Sequence, residues 1–234
     1  MEAVKRTVTR GARSYSVYDE GPDSSGWDFW SVFADGSWEP SLDGILTEHL
    51  DPTKTFLDVG AWIGPVTLMA ARMCEHVHAV EPDPVARRQL EANVSRQRRK
   101  NVTIHPVVLA AEDGTARIGR RADRQLGDSM TSTIFSVDAV EVPAVSLETL
   151  MTRTDLGNVG LVKIDIEGGE ESVLPGAAEA LLKLGAPVLL ATHALLVEDP
   201  QRYRRVVDAA LEPFDVQLIS GNPDGLASFL VVPR

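Results

Sequence analysis

The chain has 234 residues, 44% hydrophobic and 24% charged, which suits one globular domain with or without a small appendage. A formal net charge of −11 opposes nonspecific binding to a phosphate backbone and argues against nucleic acid as a partner. No run reaches the roughly 20 apolar residues of a membrane span, and the N-terminal "MEAVKRTVTRGARSYS" has no apolar signal-peptide core, so a cytoplasmic location is expected.

The single cysteine, Cys74, excludes an intramolecular disulfide or a multi-cysteine metal site. In "LMAARMCEHV" it takes a buried packing position. Two basic clusters, "RRQLEANVSRQRRK" and "GRRADR", read as a solvated helix face and a loop.

Residues 1–50 differ in character from the rest. They hold three of the four tryptophans, in "GWDFWSVFADGSWEP", and are expected to form an N-terminal cap on a main domain of residues 51–234. Trp27, Trp30, Phe33 and Trp38 then have two roles open to them, packing against the sheet and lining a pocket. Both are expected.

From residue 55 onward strand and helix alternate. "TFLDV" is a short apolar run ending at glycine, "GPVTLMAARMC" has helical spacing, and "HVHAVEP" is a second apolar run stopped by proline, together a βαβ unit. "DPVARRQLEANVSRQRR" reads as a helix with Asp83 as N-cap and Pro84 at the first helical position. "VTIHPVVLA" is strand-like and is followed by an expected hairpin through "EDGTARI". "RRADRQLGDSMTSTIFSVDA" reads as a polar loop, and its part 125–133 as a candidate lid. "VEVPAVSLETLM" resumes order, before the strand "VGLVKIDI", the helix "EESVLPGAAEALLKL", the strand "PVLLATH" and the helix "DPQRYRRVVDAAL". The closing runs "FDVQLIS" and "ASFLVVP" are joined by the turn-rich "GNPDG" with no helix between, and so pair antiparallel. About seven strands with interleaved helices make an α/β fold, an open and mostly parallel sheet covered on both faces.

In such a sheet ligands bind beyond the carboxyl ends of the strands, and the first βα turn is glycine-rich so that backbone can approach them. "FLDVGAWIG" supplies Gly60 and Gly64 there. Trp62 stands where a dinucleotide fingerprint has its middle glycine, and Pro65 follows Gly64, so a pyrophosphate fits poorly. Asp58 suits an ammonium or sulfonium. Glu81 ends the next strand 23 residues later, near the spacing at which an acidic side chain accepts from ribose hydroxyls. The ligand these features favour is S-adenosylmethionine.

"FLDVGAWIGPVTLMAAR", "HAVEPDP", "LEANV", "VKIDIEGGEESVLPGA" and "PVLLATH" together resemble the FkbM-type methyltransferases over residues 55–195, most specifically in "KIDIEGGE". The resemblance implies a class I, Rossmann-like sheet of seven strands in the order 3-2-1-4-5-7-6 with the last strand antiparallel. It also implies S-adenosylmethionine-dependent O-methylation of a small-molecule hydroxyl on a sugar, polyketide or other secondary metabolite. The expected cofactor-binding set is Asp58, Gly60, Ala61, Trp62, Gly64, Glu81, Pro82, Ala111 and Asp165.

Methyl transfer to oxygen must align nucleophile, methyl and sulfur and remove a hydroxyl proton. Asp165, ending the fourth strand, is placed beside the transferring methyl, because a lone carboxylate buried at a strand end is costly without a partner. Glu167 joins it as a catalytic candidate. Glu170 and Glu171 read first as acidic residues favoured at a helix N-terminus. His193, ending the fifth strand, is a candidate general base, with a purely structural role equally open. The family often carries an acidic residue two positions before this histidine, where Ala191 stands here. Asp165, Glu167 and His193 are also a candidate divalent-metal set of oxygen and nitrogen ligands.

Rival readings are a nicotinamide (NAD)-dependent oxidoreductase, which lacks the three-glycine loop and a Ser/Tyr/Lys set, and a noncatalytic S-adenosylmethionine-binding protein. A nucleic-acid methyltransferase is disfavoured by charge and by the lack of an Asn/Asp-Pro-Pro-Tyr-like tetrapeptide.

Overall fold

A computed structural model of the chain describes residues 4–19, 28–98, 100–124, 127 and 129–234. Trp27, and residues 125, 126 and 128 of the candidate lid, lie outside the described residues.

The N-terminal segment is an antiparallel hairpin, β1 (Val4–Arg10) and β2 (Arg13–Asp19), then helices α1 (Phe29–Asp35) and α2 (Leu42–His49). The next unit runs β3 (Thr55–Val59), α3 (Pro65–Ala70), β4 (His76–Val80), α4 (Pro84–Ser95) and β5 (Val102–His105). Asp83 caps α4 as expected, accepting from Val85 N at 2.7 Å, with Pro84 opening the helix. Then come β6 (Val108–Ala110), β7 (Gly114–Arg120), β8 (Thr131–Ser132), β9 (Val137–Ser146) and α5 (Leu147–Arg153). The chain closes with β10 (Val159–Ile164), α6 (Glu170–Leu184), β11 (Val188–His193), α7 (Pro200–Ala210), β12 (Phe214–Gly221) and β13 (Leu226–Pro233).

The main sheet has seven strands in the order β12-β13-β11-β10-β3-β4-β5. Read from β5, this is the order 3-2-1-4-5-7-6. β3, β4, β5, β10 and β11 pair in parallel, and β13 runs antiparallel to both β11 and β12. The strands carry apolar side chains on both faces because each face is covered. Leu57, Val59, Val162, Ile164 and Leu190 pack with α6 and α7. Phe56, Val77, Ala79 and Leu161 pack on the other side, with α3 and the N-terminal segment.

That second core is continuous from segment to sheet. Phe33, Leu46, Tyr15 and Val17 of the N-terminal residues are all buried with Met69, Leu68 and Phe56. Phe29 meets Trp62 edge-on at a centroid distance of 4.6 Å. At about 1.5 to 3 kcal/mol for each large apolar side chain buried, these contacts bind the segment strongly to the sheet. Phe29, Trp30 and Phe33 are packing residues.

The region after β5 differs from the expectation. "VTIHPVVLA" is not one strand: Pro106, which cannot donate to a ladder, separates β5 in the main sheet from β6 in a second sheet of order β6-β9-β7-β8. The expected hairpin through "EDGTARI" does not form either, since β6 and β7 each pair with β9 instead of with one another. Among the described residues no helix is long and apolar enough to cross a membrane.

Candidate active site

The turn after β3 lies at the carboxyl edge of the sheet. Gly60 (φ 84°) and Ala61 both donate to Val80 O, at 3.0 and 3.1 Å. Gly60 borders the cleft, and the structure adds a second reason for glycine: a Cβ there would collide with the carbonyl oxygen of Asp165. The absent side chain makes room for the end of β10. Gly64 (φ 98°) stands behind the cleft at the start of α3, where a Cβ would press on Leu90 Cδ1 at 2.7 Å. Trp62 takes a left-handed backbone (φ 49°), strained for a side-chain-bearing residue. Its N–H donates to Glu81 Oε2 at 2.7 Å and its Nε1–H to Gly127 O at 2.8 Å.

Glu81 ends β4 and is almost wholly buried. Oε1 accepts from Asp83 N at 2.8 Å. Burial pushes its carboxyl up to about 7, against the two backbone bonds that favour the charged form. Each oxygen keeps a second lone pair. Around it is a cleft lined by Val80, Pro82, Val108, Leu109 and Ile118, and by Ser129 and Thr131 to Thr133 of the candidate lid segment. Ala111 does not reach this cleft. It lies beyond the end of β6, exposed, with its Cα against Gly176 of α6, and Val108 and Leu109 line the wall instead.

Asp58 is likewise set back. It is fully buried, accepts from Thr67 Oγ1 at 2.5 Å, and its charge acts on Lys163. Burial raises its pKa, and Lys163 works against that rise. Its carboxylate sits behind the loop and so belongs to the charge balance of the site without facing the cleft.

The second wall continues from the same turn. Gly60, Ala61, Trp62, Lys163, Asp165, Glu167, His193, and Trp38 and Glu39 of the N-terminal segment line an adjoining cavity of about 370 Å³. Asp165 N donates to Val59 O at 3.0 Å, which ties the end of β10 to β3. Its Oδ2 accepts from Lys163 Nζ at 2.8 Å. Burial opposes ionisation of Asp165, but Lys163 outweighs it and holds the carboxyl below its usual range. Glu167 (φ 52°) has its carboxyl pushed up to about 8, by burial first and then by the charge of Asp165.

His193 is the centre of this wall. Nε2 lies 3.5 Å from Asp165 Oδ1 and 3.6 Å from Glu167 Oε2. Nδ1 lies 2.9 Å from Oε1 of Glu170, a carboxylate with no solvent exposure. Tyr203 Oη donates to Glu170 Oε2 at 2.7 Å and accepts from His193 N at 3.0 Å. Burial opposes charging the imidazole, yet the bond and charge of Glu170, with the charges of Asp165 and Glu167, push it up to about 9.

The acid that orients His193 therefore comes from the start of α6, not from the Ala191 position on its own strand. Glu170 does meet the helix N-terminus, accepting from Gly168 N at 3.3 Å, but its other bonds make it the histidine's partner. Tyr203 was not a candidate from sequence. A lone tyrosine among the arginines of "PQRYRRVVDAA" was the available signal, and it is fully buried. Glu39 and Lys163 were missed too.

The two cavities suit one elongated ligand. The first offers an apolar slot with a carboxylate at its end, as an adenosine requires, and the second offers an excess of carboxylate, as a sulfonium or ammonium requires. S-adenosylmethionine fits that donor set, and a pyrophosphate does not. Asp165, Glu167 and His193 also each bring one ligand atom within 4.8 Å of the others.

Comparison with known proteins agrees with this reading. The sequence profile described as "Methyltransferase FkbM domain" matches residues 58–207. A curated relative, the 31-O-demethyl-FK506 methyltransferase FkbM of Streptomyces tacrolimicus, is 29% identical over 164 residues, 56% of this chain and 62% of its own length. The match thus spans under two thirds of that relative. Among solved structures, the methyltransferase FkbM from Methylobacillus flagellatus aligns with a TM-score of 0.52 at 14% identity over 86% of this chain and 60% of that one. An O-methyltransferase from Bacillus cereus in complex with SAH aligns with a TM-score of 0.50 at 14% identity, covering 82% of this chain and 79% of the other. At such identities the likeness is one of fold.

Proposed function

Since the chain belongs to the FkbM methyltransferase family, we propose that it transfers a methyl group from S-adenosylmethionine to a hydroxyl of a small molecule, a sugar, polyketide or other secondary metabolite. When bound, the cofactor supplies an electrophilic methyl on a sulfonium. The single observation that carries the oxygen assignment is the Glu170–His193 pair opening onto the cavity that begins at the Gly60–Trp62 turn. A hydroxyl needs a base as its oxygen attacks. The curated relative, named for a 31-O-demethyl compound, is consistent with an oxygen acceptor.

In this reading Glu81 binds the ribose hydroxyls, and the apolar wall of Val80, Val108, Leu109 and Ile118 takes the adenine. Asp165, fixed by Lys163 and by its own N–H on Val59, positions the acceptor. His193 takes the hydroxyl proton on Nε2, while Glu170 holds Nδ1–H and so sets the tautomer. Near neutral pH the free imidazole carries a proton. A cationic ligand beside it disfavours that charge, so cofactor entry would free the base. Residues 1–50 act as a cap supplying part of the acceptor wall through Trp38.

The charge shared among Asp165, Glu167 and His193 is, in this reading, a proton. Lys163 already neutralises Asp165, and a divalent ion would have to compete with it. The divalent-metal alternative rests on the convergence of the three ligand atoms. The test of the function is formation of S-adenosylhomocysteine from S-adenosylmethionine with a panel of hydroxylated metabolites. Methylation at nitrogen alone would overturn the oxygen assignment, and binding without turnover on any acceptor class would favour a sensor.

A further inference from the structure

Among the described residues, Glu39 is the one carboxylate that the N-terminal segment places in the second cavity. Three observations single it out. Its backbone is left-handed, φ 45°, a conformation costly for a residue with a side chain. That conformation is clamped by Arg10, a guanidinium almost wholly buried. Arg10 donates from Nη1 to Trp38 O at 2.8 Å, from Nη2 to Glu39 O at 3.0 Å and from Nε to Asp43 Oδ2 at 2.7 Å. Finally, no described residue gives the Glu39 carboxylate a hydrogen bond or ion pair, although it lies close enough to Lys163, Asp165 and Asp58 to feel their charges. Strain held in place by a dedicated clamp collects at binding sites.

The charge count tells what kind of partner is missing. Around Lys163 stand three carboxylates, Glu39, Asp58 and Asp165. Lys163 bonds Asp165, and Thr67 donates to one oxygen of Asp58 while the other is buried without a partner, so three carboxylates share one cation, and Glu39 is the one of them that lines the cavity without a bond of its own. Burial raises the Glu39 carboxyl to about 7, Lys163 opposing. The cavity wall beside Glu39 is the Gly60–Trp62 turn. Gly60 and Trp62 line both cavities, so an S-adenosylmethionine with its ribose on Glu81 would reach the second cavity with its amino-acid arm.

We propose that Glu39, held by Arg10, binds the ammonium group of the cofactor's amino-acid arm, so that the N-terminal segment is part of the cofactor site. This rests on the S-adenosylmethionine reading above. A charge-assisted hydrogen bond of this kind corresponds to a loss of about 10- to 100-fold in affinity on removal.

The experiment is calorimetric titration of the full chain, wild type and Glu39→Gln, with three probes and no acceptor. The probes are S-adenosylmethionine, S-adenosylhomocysteine, which keeps the ammonium without the sulfonium, and 5′-methylthioadenosine, which has neither. The proposal expects both amino-acid-bearing probes to lose about tenfold or more in the variant and 5′-methylthioadenosine to lose less than about twofold. Unchanged affinity for all three overturns it. An equal loss for all three does the same, and a loss confined to S-adenosylmethionine would put Glu39 on the sulfonium instead. Should Glu39→Gln fail to fold, wild type decides: a deaminated S-adenosylhomocysteine must bind about tenfold more weakly than the parent, and equal affinity sinks the idea. If wild type binds none of the probes, the cofactor reading itself falls. Arg10→Met, which leaves the carboxylate but frees its backbone, is expected to give the same pattern with a smaller loss, and Arg10 is in that sense a positioning residue.

Discussion

The two walls of the cleft solve different problems with the same residue type. At the Glu81 wall the carboxylate lies beside Val80, Pro82, Val108 and Leu109, with both oxygens held by backbone N–H groups of Trp62 and Asp83. At the Asp165 wall, five ionisable side chains, Lys163, Asp165, Glu167, Glu170 and His193, lie in one connected cluster, held mainly by each other. Backbone donors keep their hydrogens at any ordinary pH, so at the first wall the Glu81 carboxyl alone can change its charge, near 7. At the second, one proton moving changes the charge pattern of the whole cluster. The first wall is thus assigned to holding the ribose and the second to proton transfer.

The sharpest way to break this division is His193→Ala. Turnover is expected to fall by about 10² to 10⁴ while S-adenosylmethionine affinity stays within a few-fold, measured by steady-state kinetics beside calorimetry. Equal losses in both would mean that the walls are not separate. Glu81→Ala is the reciprocal change. It should weaken cofactor binding by about 1.5 to 3 kcal/mol and leave turnover at saturating cofactor much less affected. Since burial raises the Glu81 carboxyl to about 7 and the ionised form is the better acceptor, wild-type affinity should also rise as pH increases through that value.

A smaller effect is on stability, and both walls contribute to it with the same sign, since the Glu81 carboxyl is raised as well. His193 binds its proton more tightly folded, near pH 9, than unfolded, near 6.5. Its contribution is therefore fully present below about pH 6.5 and is lost as pH rises through 9. Glu167, raised to about 8, acts in the same direction from about 4.5 upward. Thermal melts should show stability falling by on the order of 1 to 3 kcal/mol across this range. Glu170→Gln, which removes the main support of the imidazolium, should flatten the fall above pH 6.5. The smallest effect expected is that of a chelator, which should leave turnover within about twofold. Loss of activity restored by added magnesium would establish a metal in the second wall.

What could be read from the residues alone followed chain periodicity. The βαβ start, the Asp83 cap and the antiparallel ending depend on neighbours in sequence, and so they were visible there. Glu81 and Asp165 were visible because strand ends face the ligand edge in this kind of sheet. Glu170 was seen only as a helix-terminal acid, since its meeting with His193 joins residues 23 apart. Tyr203 and Glu39 depend on packing between elements more distant still, and no local pattern marks them. The glycines of the turn were recognised, but not their packing neighbours. That Gly60 faces Asp165 O is a fact about two strands coming together.

The shared core beneath the turn has a consequence for recombining this protein with its relatives. The family's matched region starts at residue 58, but Ile63, Val66 and Met69, just inside that boundary, are buried in the same cluster as Tyr15, Phe33 and Leu46 outside it. An exchange of acceptor-side segments between family members cut at the profile boundary would divide one packed interior between two parents, and large-to-small mismatches in such interiors cost about 2 to 5 kcal/mol each. A workable crossover must carry the outward faces of α3 and α4 together with the first 50 residues, so that the inherited unit is a packed layer and not a stretch of sequence.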